Sequence, residues 1–201
     1  MREPVGSSES RLALRGSRFL GILHRVENEN EAKSRIAATR EDHPGASHVA
    51  YAFVVGTEKS LLRGMSDDGE PHGTAGHPIL DQLSGATLSF CLVMVVRYFG
   101  GTKLGTGGLV RAYGAAARLA IEKAPTRPVI DRSRYRLVLT YDVIDPAFRL
   151  IEEIGGVVED REFGGRVVVQ GSVPTSETAR FVKRVGDLTA GKSYPEILGS
   201  D

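Results

Sequence analysis

Arg97-Tyr-Phe-Gly-Gly-Thr-Lys-Leu-Gly-Thr-Gly-Gly-Leu-Val-Arg-Ala-Tyr-Gly114 is the stretch on which the reading of this chain turns. It follows an apolar, valine-rich run, Leu88 to Phe99, whose length and β-branched content predict a buried strand. Beyond it Leu109, Ala112, Tyr113, Ala116, Leu119 and Ala120 recur at helical spacing, and a helix start falls near Gly107 or Gly108. Strand, glycine loop, helix is the context in which bare backbone N–H groups and a helix N-terminus hold an anion. Arg97, Lys103, Arg111 and Arg118 are the charged residues from Arg97 to Ala120, and none is acidic. The spacing is neither the Walker pattern nor the dinucleotide fingerprint. Anion binding and simple architecture, with tight turns and close helix–sheet packing, both remain open readings of these glycines.

Outward from the loop, composition sets bounds. A chain of 201 residues with 41% apolar content suits one large domain or two small ones. The formal net charge is +1, so any anion site must come from local clustering. Cys91, the single cysteine, lies in the apolar run, which excludes an intramolecular disulfide and favours a reducing compartment. No apolar run approaches the roughly 20 residues that span a bilayer. Met1 to Ser10 lacks the apolar core of a signal peptide. A cytoplasmic protein without membrane partners is expected, with a flexible segment at residues 1–16.

The first domain is expected at residues 17–124. Ser17 to Leu23 reads as a strand, and Asn28 with Glu31 as a capping signal for a helix through Ala32, Ile36 and Arg40. His43-Pro44-Gly45 breaks that helix, Val49 to Val55 makes a strand, and Ser66 to Gly76 a loop. Pro78 opens a short helix with Ile79, Leu80 and Leu83 inward. Residues 125–133, with Pro125 and Pro128, read as a linker, and residues 134–201 as a second domain. There Tyr135 to Tyr141 alternates, Asp145-Pro146 reads as a helix cap, and Gly155 as a helix stop. Gly164-Gly165 marks a hairpin, a last helix starts at Ser176, and a final strand is expected near Tyr194 to Leu198. Strand-helix-strand-strand-helix-strand is the split βαβ, ferredoxin-like order, and the fold class is α+β.

Two further motifs accompany the glycine stretch: Ala46-Ser-His-Val-Ala-Tyr51 and Ser66-Asp-Asp-Gly-Glu-Pro-His-Gly-Thr-Ala-Gly76. Together the three closely resemble the IMPACT family, over about Arg18 to Lys123. The resemblance implies an N-terminal domain with the fold of ribosomal protein S5 domain 2. Bacterial members of the family add a small ferredoxin-like domain, and the pair looks like the last two domains of elongation factor G. Eukaryotic relatives regulate translation during amino-acid starvation by competing for a ribosome-associated activator of the initiation-factor kinase. They carry an extra N-terminal interaction module, RWD, for which the stretch before Arg18 has no room. For bacterial members the resemblance implies association with nucleic acid or the ribosome.

The candidate phosphate or RNA contacts are Arg97, Gly100, Gly101, Lys103, Gly105, Gly107, Gly108 and Arg111. A second set, His48, Asp67, Asp68, Glu70, His72 and Thr74, holds possible surface or acid/base groups. The acids read as ion-pair partners of Arg97, Lys103 and Arg111, as a partner surface, or as metal or proton-transfer groups. His48, His72 and His77 are candidate bases. No Gly-x-Ser-x-Gly elbow and no zinc spacing accompany them. Tyr51, Tyr98 and Tyr113 read as base-stacking rings or core edges. Lys123, Arg127, Arg132, Arg134 and Arg136 read as a solvated basic linker or an extension of an anionic footprint.

The first expectation is a translation-associated protein that contacts RNA or the ribosome by electrostatics and shape, with a translation-regulatory protein as a further partner and no cofactor. The alternatives are an enzyme acting on a phosphorylated small molecule or nucleotide, and a protein-interaction module without RNA contact.

Overall fold

The first residues of the chain are strands. The computed structural model describes residues 1–58 and 60–200, in two units, Met1–Val129 and Ile130–Asp201. β1 (Arg2–Pro4) and β2 (Ser7–Leu14) occupy the segment expected to be flexible. β2 pairs antiparallel along its whole length with β3 (Ser17–Arg25), so the segment is held by a ladder of backbone hydrogen bonds.

After β3, Asn28 caps α1 (Glu29–Asp42) by accepting from the Glu31 N–H. The Glu31 carboxylate reaches back to the N–H of Glu27 at 2.9 Å, a capping box displaced by one residue. β4 (His48–Val55) and β5 (Leu62–Ser66) form a hairpin, and β5 takes the start of the stretch expected to be loop. α2 (Gly76–Gly85), β6 (Cys91–Tyr98) and α3 (Thr106–Lys123) follow. The sheet is antiparallel in the order β2-β3-β6-β4-β5.

Helices on both faces explain the continuous apolar run of β6. Cys91, Val93 and Val95 join Phe19, Ala112, Tyr113 and Ala116 in the core under α2 and α3. Leu92, Met94 and Val96 join Ile22, Ile36 and Phe53 under α1. The alanines of α3 let it lie close on β2 and β3, where Ser8 and Ser10 donate to the carbonyls of Ala120 and Ala116 at 2.6 and 2.8 Å.

Residues 125–129 of the expected 125–133 linker also belong to this unit, and the remaining four belong to the second. β7 (Thr126–Pro128) pairs with β1. The buried Glu3 accepts from Arg25 Nε at 3.0 Å and Arg127 Nε at 2.6 Å. Lys123 donates to the Glu9 carbonyl. These cations tie the ends of the unit together while Lys123 and Arg127 stay exposed.

The second unit is β8 (Arg132–Leu139), α4 (Ile144–Glu153), β9 (Val157–Phe163), β10 (Val167–Pro174), α5 (Thr178–Leu188) and β11 (Glu196–Ser200). Its antiparallel sheet runs β11-β8-β10-β9, the ferredoxin-like arrangement. Tyr135, Leu137, Leu139, Val169, Ile151 and Phe181 fill its core. Asp145 does not cap α4. A 3-10 turn at Tyr141–Val143 leads straight into the helix, and Asp145 sits in its first turn. A similar turn, Thr175–Glu177, precedes α5 and takes Ser176, the expected helix start. Gly155 ends α4 at φ 71°.

Glu3 holds β1, β3 and β7 through two guanidinium bonds. Glu3→Ala is expected to cost about 2 kcal/mol, the scale of a bond to a charged group, read from the midpoint of urea unfolding.

Candidate anion-binding site

The glycine loop joins β6 to α3 and is anchored at its start. The N–H groups of Phe99 and Gly100 donate to Ser47 Oγ at 3.1 Å and Ser17 Oγ at 3.2 Å. Gly100 also lies directly on the β2–β3 turn, where an added Cβ would stand 1.9 Å from the Gly16 carbonyl carbon. Gly100 is therefore a packing glycine, and its amide is used internally. Leu104 is buried and pins the middle of the loop.

The rest of the loop faces solvent. Gly105 occupies the cap position of α3 at φ 71°, and no side chain caps the helix. The first helical bond runs from the Leu109 N–H to the Gly105 carbonyl, which leaves the Thr106, Gly107 and Gly108 amides at the open end. Gly107 needs neither positive φ nor close packing, since an added Cβ would meet only the Arg111 guanidinium at 3.8 Å. The first turn of α3 holds no acid. Lys103 and Arg111 are exposed and have no acidic partner among the described residues. Free amides, the positive end of a long helix and two unpaired cations thus share one surface.

Arg97 must be removed from the expected anion contacts. It is 5% exposed, and its Nη1 donates to Glu70 Oε1 at 2.5 Å. Its guanidinium lies between the rings of Phe19 and Phe99, 5.6 and 5.5 Å from their centroids. Glu70, itself 8% exposed, also accepts from the Tyr113 hydroxyl at 2.6 Å. Burial first, and then the bond to Glu70, push the Tyr113 phenol far above its ordinary range, so it stays a donor. His48 faces the same carboxylate at 3.9 Å through Nε2, while its Nδ1 bonds the Asp68 carbonyl at 2.7 Å. A carbonyl only accepts, so Nδ1 carries the proton. Phe19, Arg97 and His48 are register neighbours across β3, β6 and β4, which explains how three distant residues meet under α3.

The other acids are structural as well. Asp67 accepts from the N–H groups of Gly73, Ala75 and Gly76 at 2.8, 3.0 and 2.8 Å, so it caps α2 from a distance. Asp68 accepts from the Val49 N–H at 2.6 Å and pairs with Arg40 of α1. Thr74 Oγ1 donates to the Pro71 carbonyl within the turn. The His72 side chain is 98% exposed, with Nδ1 3.8 Å from Asp67. Among the described residues no group of three His, Cys, Asp or Glu side chains is placed to hold a metal ion. Sequence reasoning missed Tyr113 as the second partner of Glu70 and Arg40 as the partner of Asp68. The signal for Tyr113 was its place on the inward face of α3, where a buried hydroxyl needs an acceptor.

Glu70→Ala leaves Arg97 buried without a counter-charge and is expected to cost about 3–5 kcal/mol. A Glu70→Leu, Arg97→Met double variant should recover much of that loss in the same denaturant titration. A second prediction concerns acid. Burial raises the Asp67 pKa, but the three amides outweigh it and hold the group below its ordinary 3.8. A depressed carboxylate contributes stability that is present above its unfolded pKa and lost as pH falls through the folded one. Asp67→Asn should therefore flatten the fall in melting temperature on acidification below about pH 4.

Comparison with known proteins agrees with this architecture. Residues 15–121 match the Impact N-terminal domain, and residues 137–192 match a domain of unknown function (DUF1949). The chain is 34% identical over 179 residues to the IMPACT family member YigZ of Escherichia coli (strain K12), covering 89% of this chain and 88% of that protein. It is 48% identical over 186 residues to an IMPACT family member of Thermus thermophilus, covering 90% and 97%. A solved structure of a hypothetical protein superimposes with a TM-score of 0.78 at 31% identity, over 96% of this chain and 95% of the other. Among the described residues no helix is long and apolar enough to cross a membrane. Family-level identity along nearly the whole length, on top of the α+β fold and the three motifs, makes this chain a member of the IMPACT family.

Proposed function

We propose that the protein is a translation-associated binding protein that contacts the phosphate backbone of ribosomal or other RNA through the glycine loop. The observation that carries this reading is the uncapped start of α3, flanked by exposed Lys103 and Arg111 without acidic partners among the described residues. Such a surface takes up phosphate oxygens by charge and by backbone amides, with no bond chemistry. Family membership supplies the translation context, since the family resemblance implies translational control for eukaryotic relatives and suggests association with nucleic acid or the ribosome for bacterial ones. The protein works in the cytoplasm on this reading, and a translation-regulatory protein is its further partner.

The geometry favours this reading over the enzymatic one. Glu70 is committed to Arg97 and Tyr113, and Asp67 to three amides. Burial pushes the Cys91 thiol far up, away from a nucleophilic thiolate.

Lys103→Glu with Arg111→Glu is expected to abolish cosedimentation with ribosomes from lysate at low salt and to leave the melting temperature unchanged. Cosedimentation that survives the double variant refutes the loop as the contact; association that survives nuclease and high salt points to a protein partner. Gly107→Ala gives a sharper test of the amides. It should stabilise the fold by up to about 1 kcal/mol, because alanine outranks glycine in a helix, yet weaken RNA binding by crowding the open end of α3.

A further inference from the structure

The β2–β3 half of the first unit's sheet is open on the face that α1 covers elsewhere. α1 packs over Ile22, Val49, Phe53, Met94 and Val96. Beyond that cover lies a groove of about 420 Å³ whose lining includes Arg11, Arg18, Leu20 and Tyr98. The ladder sets their arrangement. Arg11 stands opposite Leu20, and Ala13 opposite Arg18, which in turn stands opposite Tyr98. Arg11 and Arg18 are thus diagonal neighbours on one face, about 7–8 Å apart by strand geometry.

Three features give the groove a chemistry. Arg11, Arg15 and Arg18 are exposed and have no acidic partner among the described residues. Arg18 lies over the Tyr98 ring at 5.0 Å, and His43 Nδ1 holds the Tyr98 hydroxyl at 2.8 Å, so the ring and its cation are positioned in advance. The Arg15–Gly16 turn between β2 and β3, which follows the groove's Arg11 and Ala13, packs on Gly100 of the glycine loop. The open sheet face of the second unit lacks this character. There Arg136 stands opposite Glu196, Gln170 opposite Asp160, and Val168 opposite Glu162, which mixes the signs.

We propose that this groove binds a single-stranded RNA segment, with Arg11 and Arg18 on successive phosphates and a base stacked at Tyr98 and Arg18. The proposal rests on the RNA reading above and assigns it a second contact, on the opposite face of the sheet from α3. Positive charge alone also suits an acidic peptide, but a ring and a guanidinium held together add stacking surfaces that suit a nucleobase and that acidic side chains do not use.

The test uses the full-length protein and a fluorescein-labelled oligouridylate of about 12 nucleotides, within the usual site-size range. Anisotropy titrations at several salt concentrations give affinity and salt slope. Arg11→Ala with Arg18→Ala should weaken binding by about tenfold or more and reduce the slope by about 1.4, the value for two lost phosphates on a single strand. Tyr98→Leu, checked for an unchanged melting temperature, should weaken binding without altering the slope. Arg18→Ala alone keeps the test alive should Tyr98→Leu unfold. Unchanged affinity in the double arginine variant, absence of binding by the native protein at low salt, or equal displacement of the RNA by polyglutamate each overturns the proposal. The Lys103→Glu, Arg111→Glu variant separates the two surfaces. Retained oligouridylate binding with lost ribosome pelleting supports an independent groove. Lost pelleting in that variant, with full oligouridylate binding in the groove variants, leaves the loop reading standing and sinks the groove.

Discussion

A buried ion pair organises the first unit. Glu70 arrives from the loop after β5, Arg97 from the end of the central strand, and Tyr113 from α3. Desolvating a carboxylate and a guanidinium is expensive, and it is tolerated here because each charge meets the other at hydrogen-bond distance and Tyr113 adds a second donor. The Nε of Arg97 has no hydrogen-bond partner among the described residues, so the guanidinium is incompletely satisfied there and leans on the flanking Phe19 and Phe99 rings. Arg97 and Glu70 thereby fix the acidic loop, the first residue of the glycine loop and the middle of α3 in a common frame.

That frame has a consequence for function. With Glu70 and Asp68 paired to arginines and Asp67 held by three amides, Lys103 and Arg111 are left beside the uncapped amides without acidic partners among the described residues. An exposed acid near α3 would weaken the helix-end field, whereas a buried one spends its charge on Arg97 and leaves the field intact. The same loop that is tied down at Phe99 and Gly100 is open from Gly101 onward except at the buried Leu104. Rigid attachment at one end and free amides at the other describe a preorganised surface, in which little ordering cost falls on the binding step.

The termini of the first unit carry a related lesson. β1 and β7 were each legible only as polar or proline-rich ends, and three-residue strands have no periodicity to read. Their pairing is reinforced by Glu3 reaching Arg25 and Arg127 and by Arg2 reaching Thr126, residues far apart in the chain. A local reading of the basic stretch after Lys123 sees a charge excess. The folded unit spends part of it on Glu3 and on the Glu9 carbonyl.

Local patterns settled the elements with strong periods: the α1 cap at Asn28, the β6 run, the small-residue face of α3, and the strand–helix order of the second unit. These follow from interactions within a few residues, and the three motifs sufficed to suggest the family. Which cation faces outward was a different kind of question. Arg97 and Lys103 look alike in the chain, six residues apart and both within the glycine-rich stretch. Only the register of β6 between β3 and β4, which turns Arg97 under α3 toward Glu70, separates a buried counter-charge from an exposed contact. The same ladder, by setting Arg11, Arg18 and Tyr98 on one uncovered face, built a groove that no linear spacing announces.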